Sequence, residues 1–210
     1  MKKLFGDIKM TWWKVIVFAI AIGVIVGLLM CVPALYDTSF RDIGITHEWW
    51  VLFALIVVVN CNKSYEAAFK CFLFFLISQP VIYGTEVLMH HITLADAWHF
   101  YYPNWFIQTL LTLPGGFIAY FSKKQNPFGA IVLGLGNSLE VLMGIYYGSA
   151  MIKNFPHHLL TTIFCFFVVV ITNIYIQREK KTRLISILTT LLVIAVGLTY
   201  FTMNHLTFLA

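Results

Sequence analysis

Seven stretches dominated by apolar residues divide the chain, over 13–35, 47–60, 67–89, 104–121, 127–150, 157–177 and 184–206. All but the second approach the ~20 residues a helix needs to cross the hydrocarbon core of a bilayer. The apolar runs are continuous and long, unlike the short alternating segments of an outer-membrane barrel. Backbone exposed to lipid must satisfy its own hydrogen bonds, so runs of this kind predict helices. The predicted fold is all-α, a polytopic membrane bundle of seven transmembrane helices. The linkers are too short for a separate soluble domain, and residues 1–210 read as a single integral membrane domain. The longest linker, 90–103, reads as a small interfacial helix or lid.

The polar positions between these runs carry an orientation. If the chain crosses seven times, one side receives Lys2, Lys3, Lys9, Lys14, Lys63, Lys70, Lys123, Lys124, Arg178, Lys180, Lys181 and Arg183, which is 12 of the 14 basic residues. Arg41 and Lys153 fall opposite. Cytoplasmic loops are the ones enriched in Lys and Arg, so the N-terminus is predicted in the cytoplasm and the C-terminus outside a cytoplasmic membrane. The same distribution argues for the weak second span, whose apolar part is only Trp49–Val59. Without it the basic loops at Lys63, Lys123 and Arg178 would change sides. Lys2 and Lys3 ahead of an apolar run imitate a signal peptide, but the run from Val15 to Leu35 is longer than a signal core and reads as a retained helix. Lys70, near the inner end of the third span, is placed to snorkel toward headgroups.

Composition strengthens this picture. The chain is 60% hydrophobic, 17% aromatic and 11% charged, with a mean hydropathy of +0.84. Soluble domains carry about 25% charged residues, so an ordinary soluble enzyme and a disordered protein are excluded. The net charge of +5 and pI near 9.0 would suggest a nucleic-acid partner in a soluble protein. Here the charge is a topology signal, and no nucleic acid is expected.

Candidate chemistry lies mainly on the predicted outer side, where His47, His90, His91, His99, His157, His158 and His205 all fall, with Asp37, Asp42, Glu48, Glu86 and Asp96. Imidazole titrates near neutral pH and is the commonest metal ligand. Glu86 and His90 are spaced to share a helix face. With His157 or His158 they would make the three-ligand set of a catalytic zinc. Against this, no H-E-x-x-H or H-x-x-x-H pattern occurs, and rings with a polar tip suit an aromatic interface belt, as in Trp98-His99-Phe100-Tyr101-Tyr102. Glu140 lies mid-span in the fifth segment, where a carboxylate in lipid is costly. Gly136, Glu140, Gly144 and Gly148 recur at four-residue spacing, a small-residue ridge that must face other helices, with Asn137 beside it. Asn104, Gln108 and Thr112 share a face of the fourth span. Gly23 and Gly27 suit close packing within the chain, with a second copy or with a partner subunit. Cys31, Cys61, Cys71 and Cys165 form no C-x-x-C pair and read as buried apolar thiols. No nucleotide-binding loop and no nucleophile elbow is present.

The preferred reading is a multi-pass membrane protein with an outward-facing vestibule lined by His and Glu: a small transporter or a membrane protein that binds a solute or ion. In it Glu86, Gln108, Asn137 and Glu140 bind the solute or ion, and His90, His157 and His158 capture or sense it. The rival is an intramembrane metal-dependent hydrolase or transferase acting on a lipid-linked substrate. There Glu86, His90 and His157 or His158 hold zinc, with Glu140 or Asp96 for acid–base work. A third class is an accessory subunit without chemistry.

Overall fold

A computed structural model describes residues 5–36, 38–153 and 155–208, apart from the side chains of Ile45, Phe100, Tyr101 and residues 200–208. The described residues are helical throughout, with no strand. The first helix, α1 (Trp12–Cys31), starts where Thr11 Oγ accepts the Lys14 N–H at 3.3 Å. It stops short of the expected 35 because Pro33 drives Val32 into extended backbone. A 3-10 turn (Pro33–Leu35) and a single helical turn, α2 (Asp42–Ile45), then lead into α3 (Glu48–Val59). The long helix α4 (Ser64–Leu88) carries Pro80 in its interior.

Its end is a backbone device. His90 has φ +57°, its N–H bonds the Val87 carbonyl at 3.0 Å, and the His91 N–H bonds the Glu86 carbonyl at 2.9 Å. That pattern is a Schellman cap with His90 in the left-handed position usually held by glycine. The expected interfacial segment is a short turn, α5 (Leu94–Asp96), with a Thr93–Asp96 capping box. It passes through a π-helical turn (Ala97–Tyr101) into α6 (Tyr102–Ala119). After a 3-10 turn (Tyr120–Lys123) come α7 (Pro127–Lys153), α8 (Leu159–Tyr175) and α9 (Lys180–Phe208).

Among the described residues, four helices are long and apolar enough to cross a membrane: α1, α4, α7 and the Lys180–Thr199 part of α9. Sequence predicted seven such spans. At 1.5 Å per residue α3 extends about 18 Å and α8 about 26 Å, against a hydrocarbon core of about 30 Å. The 18 residues of α6 include Tyr102, Pro103, Asn104 and Gln108, which dilute its apolar character.

The helices pack as two groups of three. In one, α4 lies between α1 and α6; in the other, α7 lies between α8 and α9. The bridge is α3, which touches α4, α6 and α8. Successive helices reverse direction, α3 included. Gly23 and Gly27 of α1 meet Ser78 and Thr85 of α4 in the same order, so those two run parallel. Between them, α3 brings Asn60 back to the start of α1, where its Oδ1 accepts the Gly6 and Ile8 N–H groups at 3.1 and 2.8 Å. A Cβ on Gly27 would stand 2.7 Å from Thr85 Cβ, and one on Gly134 would stand 2.7 Å from the Ser186 carbonyl oxygen of α9. The glycine spacing of α1 is therefore used inside the chain.

Lys70 does not snorkel. It is buried, ion-paired with Glu66 and hydrogen-bonded to the Met10 carbonyl, which pins the segment before α1 against α4. Lys123 reaches the Val59 and Cys61 carbonyls, and Gln177 bonds those of Ser122 and Lys124 at 2.6 and 3.1 Å. The basic loops are thus tied to one another at one end of the bundle. Val17, Ile20, Val24 and Leu28 on α1, and Leu184, Leu188, Leu191 and Leu192 on α9, are exposed, while Ser78, Gln79, Thr172 and Asn173 are buried. Apolar outside and polar inside suits a lipid surround.

Candidate solute-binding cleft

Although α6 and α7 are consecutive long helices, they barely touch, because each packs into a different group of three. The space between them, floored by α3 and α8, is a cleft of about 630 Å³. Its walls are mainly apolar, including Trp50, Val51 and Ala54 of α3 and Val168 of α8. Leu111 and Ile118 on one rim and Leu135 and Leu139 on the other are exposed, Leu139 by 64%, so the cleft opens on the flank of the bundle. Gly136 lies on this wall, and nothing stands within 4 Å of where its Cβ would be. The small-residue ridge therefore does not face one neighbour along its length. Gly144 packs on Cys165 and Phe166 of α8, whereas Gly136 faces open space.

Polar groups sit at defined points on this wall. Glu140, midway along α7, is only 4% exposed, and its Oε2 has no hydrogen-bond partner. The Cys165 thiol of α8 is hydrogen-bonded to its carboxyl group. The charged group that acts on it is another acid, Glu48 of α3. Glu48 is 2% exposed, and neither of its oxygens has a partner. It lies in the first turn of α3, where the unpaired N–H groups and positive end of the helix dipole favour negative charge. Neither carboxylate has an ion-pair partner among the described residues.

One turn before Glu140, Asn137 Oδ1 accepts the Thr172 hydroxyl at 2.9 Å, while its buried Nδ2 donates to nothing. Gln108 lies farther along the cleft, exposed, with its Oε1 3.1 Å from His47 Nε2. The His47 ring lies 5.3 Å from that of Trp105. Thr109 and Thr112 line the α6 wall. The cleft thus combines an apolar volume with a buried acid, a free amide donor and a polar mouth.

Three of the four residues assigned from sequence to solute binding, Gln108, Asn137 and Glu140, line this cleft. The fourth, Glu86, lines a different pocket. The sequence missed Glu48 as a partner of Glu140, because it reads as a helix-end acid on the outer side. The signal that finds it is its place inside the predicted span 47–60.

The expected vestibule uniting Glu86 with the histidines is not assembled. His90 is outside the helix that carries Glu86, at the left-handed cap, so the four-residue spacing no longer puts them on one helical face. His157 and His158 precede α8, which has no substantial packing against α4. The His158 N–H instead donates to Asp42 Oδ2 at 2.7 Å, and its ring lies 5.0 Å from that of Tyr147. Among the described residues no group of three or more His, Cys, Asp and Glu side chains is gathered to hold a metal ion, so the zinc set Glu86, His90, His157 and His158 does not form. Asp96, the alternative acid–base group, closes the α5 capping box. Asp37 and the His205 side chain lie outside the described residues. All four cysteines are buried and unbridged.

Comparison with protein-family models, curated proteins and solved structures gives no match to this chain.

Proposed function

We propose that the chain is a small transporter or solute-binding protein of a cytoplasmic membrane, one integral domain crossing the bilayer seven times with its N-terminus in the cytoplasm. Reversal of direction at each successive long helix supports that path, with the basic loops gathered at one end. The cleft binds a small, largely apolar solute that carries positive charge or exchanges a proton at Glu140. One observation carries this reading: Glu140, a buried acid with an unpartnered oxygen, lines an apolar cavity, with the equally buried Glu48 acting on it and no counter-cation among the described residues. A charge so placed is costly unless a proton or a cation joins it.

Tetraphenylphosphonium, a lipophilic cation, is the direct probe. Purified protein in a non-ionic detergent is expected to bind it, and a Glu48→Gln, Glu140→Gln double variant to bind at least tenfold more weakly, a difference of about 1.4 kcal/mol. Equal binding by both proteins would reduce the cleft to a plain apolar cavity and sink the charge-based reading.

A further inference from the structure

A second, smaller pocket of about 260 Å³ lies at the end of α4, beneath the turn that follows it. Gln79, Ile82, Tyr83 and Glu86 line it from positions i, i+3, i+4 and i+7, one stripe of the helix. Arg41, just before α2, lines it as well. Gln79 is 3% exposed and its Nε2 has no acceptor; Glu86 is 5% exposed. Arg41 Nε is likewise buried without an acceptor. The arginine is held from behind: its guanidinium lies 4.8 Å from the centre of the Tyr36 ring, and Tyr36 Oη is 3.0 Å from His91 Nδ1.

Arg41 and Glu86 are within electrostatic reach of each other, yet they form no ion pair. Opposite charges that face one pocket and stay apart leave room for a molecule bearing both complementary charges. We propose that this pocket binds a small zwitterion, with its ammonium on the Glu86 carboxylate and its carboxylate or phosphate on Arg41 and the Gln79 amide. Hydrogen bonds to ionised partners are the strong ones, and a guanidinium fork suits either anion. The volume lies below the ~300 Å³ at which drug-sized clefts begin, so the ligand has few heavy atoms. The site is separate from the α6–α7 cleft; Trp105 lines both.

Radiolabelled glycine and phosphoethanolamine, tested on the full chain in a maltoside detergent, read out the site. Both are expected to bind, whereas acetate and methylamine, each half of the zwitterion, compete at least tenfold more weakly. Glu86→Gln and Arg41→Gln are expected to lower glycine affinity at least tenfold. Glu140→Gln leaves it unchanged, so failure here is separable from failure of the cleft reading. Folding of each variant is checked by thermal unfolding, and the half-ligand comparison holds on the wild-type chain even where a variant does not fold. In nanodiscs of phosphatidylglycerol, loss of glycine binding on adding phosphatidylethanolamine would identify the ligand as a lipid headgroup. Retained binding would identify a free zwitterion. No binding of either zwitterion, or competition by acetate or methylamine equal to that of glycine, overturns the proposal.

Discussion

Glu48 and Glu140 are held against their own solvation preference, and that has a measurable cost. An unsatisfied buried polar group costs about 1–3 kcal/mol, more when charged. Replacing either by Gln removes a buried acid that no ion pair offsets among the described residues. Each single variant is therefore expected to raise the thermal unfolding midpoint of the ligand-free protein, and the double variant to gain less than the sum, because each substitution relieves the other. A lowered midpoint in both singles would show that the acids are structural.

Cys61 gives a second residue-level test, in the loop after α3. Burial, only partly countered by Lys70 and Lys123, pushes its thiol up to about 11 from an ordinary 9.0. Between those values the unfolded chain loses the proton that the folded chain keeps, so stability falls as pH rises from 9 toward 11. Iodoacetamide at pH 8 should leave Cys61 unmodified until the protein is unfolded, as mass spectrometry of the labelled peptide would report. At this scale the sequence was informative where helical spacing governs. Glu140, Asn137 and Gln108 reach one cavity, as amphipathic spacing allows. His90 was misread because a residue beyond a helix end does not obey helical spacing.

The elements show where hydropathy stops being sufficient. The runs that became α1, α4, α7 and α9 are legible because each keeps an apolar composition over its whole length. The second segment is different. Its helix is only 12 residues long because the chain just before it, from Thr38 through Asp42, is folded into turns fixed by Ser39 on the Pro156 carbonyl at 2.8 Å and by Asp42 on the His158 N–H. Those partners are more than a hundred residues away, and no local pattern announces them. Glycines divide in the same way. Gly27→Leu is expected to destabilise the protein by at least about 1–3 kcal/mol, since a Cβ there already overlaps Thr85 of α4. Gly136→Ala should be tolerated in stability, because its Cβ enters open space. Thermal unfolding of the two variants side by side checks this; equal losses would contradict the packing of α1 on α4. Spacing alone marked both residues as small-face positions and did not distinguish a buried contact from a cavity wall.

For the molecule as a whole, the proposed seven-span path is testable because the native cysteines are buried and give a quiet background. Single cysteines at Lys63, Lys124 and Lys181, all exposed, are expected to react with a membrane-impermeant maleimide from one side of sealed vesicles. Those at Leu94 and Phe155 should react from the other. Labelling of Lys124→Cys and Lys181→Cys from opposite sides would remove a crossing and overturn the seven-span path. The cleft itself was not legible, because a sequence does not say which consecutive helices decline to pack. That separation of α6 from α7 has a consequence for ligand supply. If the exposed rim of Leu111 and Leu139 faces lipid, the phase that delivers the ligand is the membrane, not the water. Occupancy then follows the mole fraction of ligand dissolved among the acyl chains. A solute with high lipid solubility would saturate the site at a low total concentration, and its apparent affinity would weaken as more lipid is added to the assay.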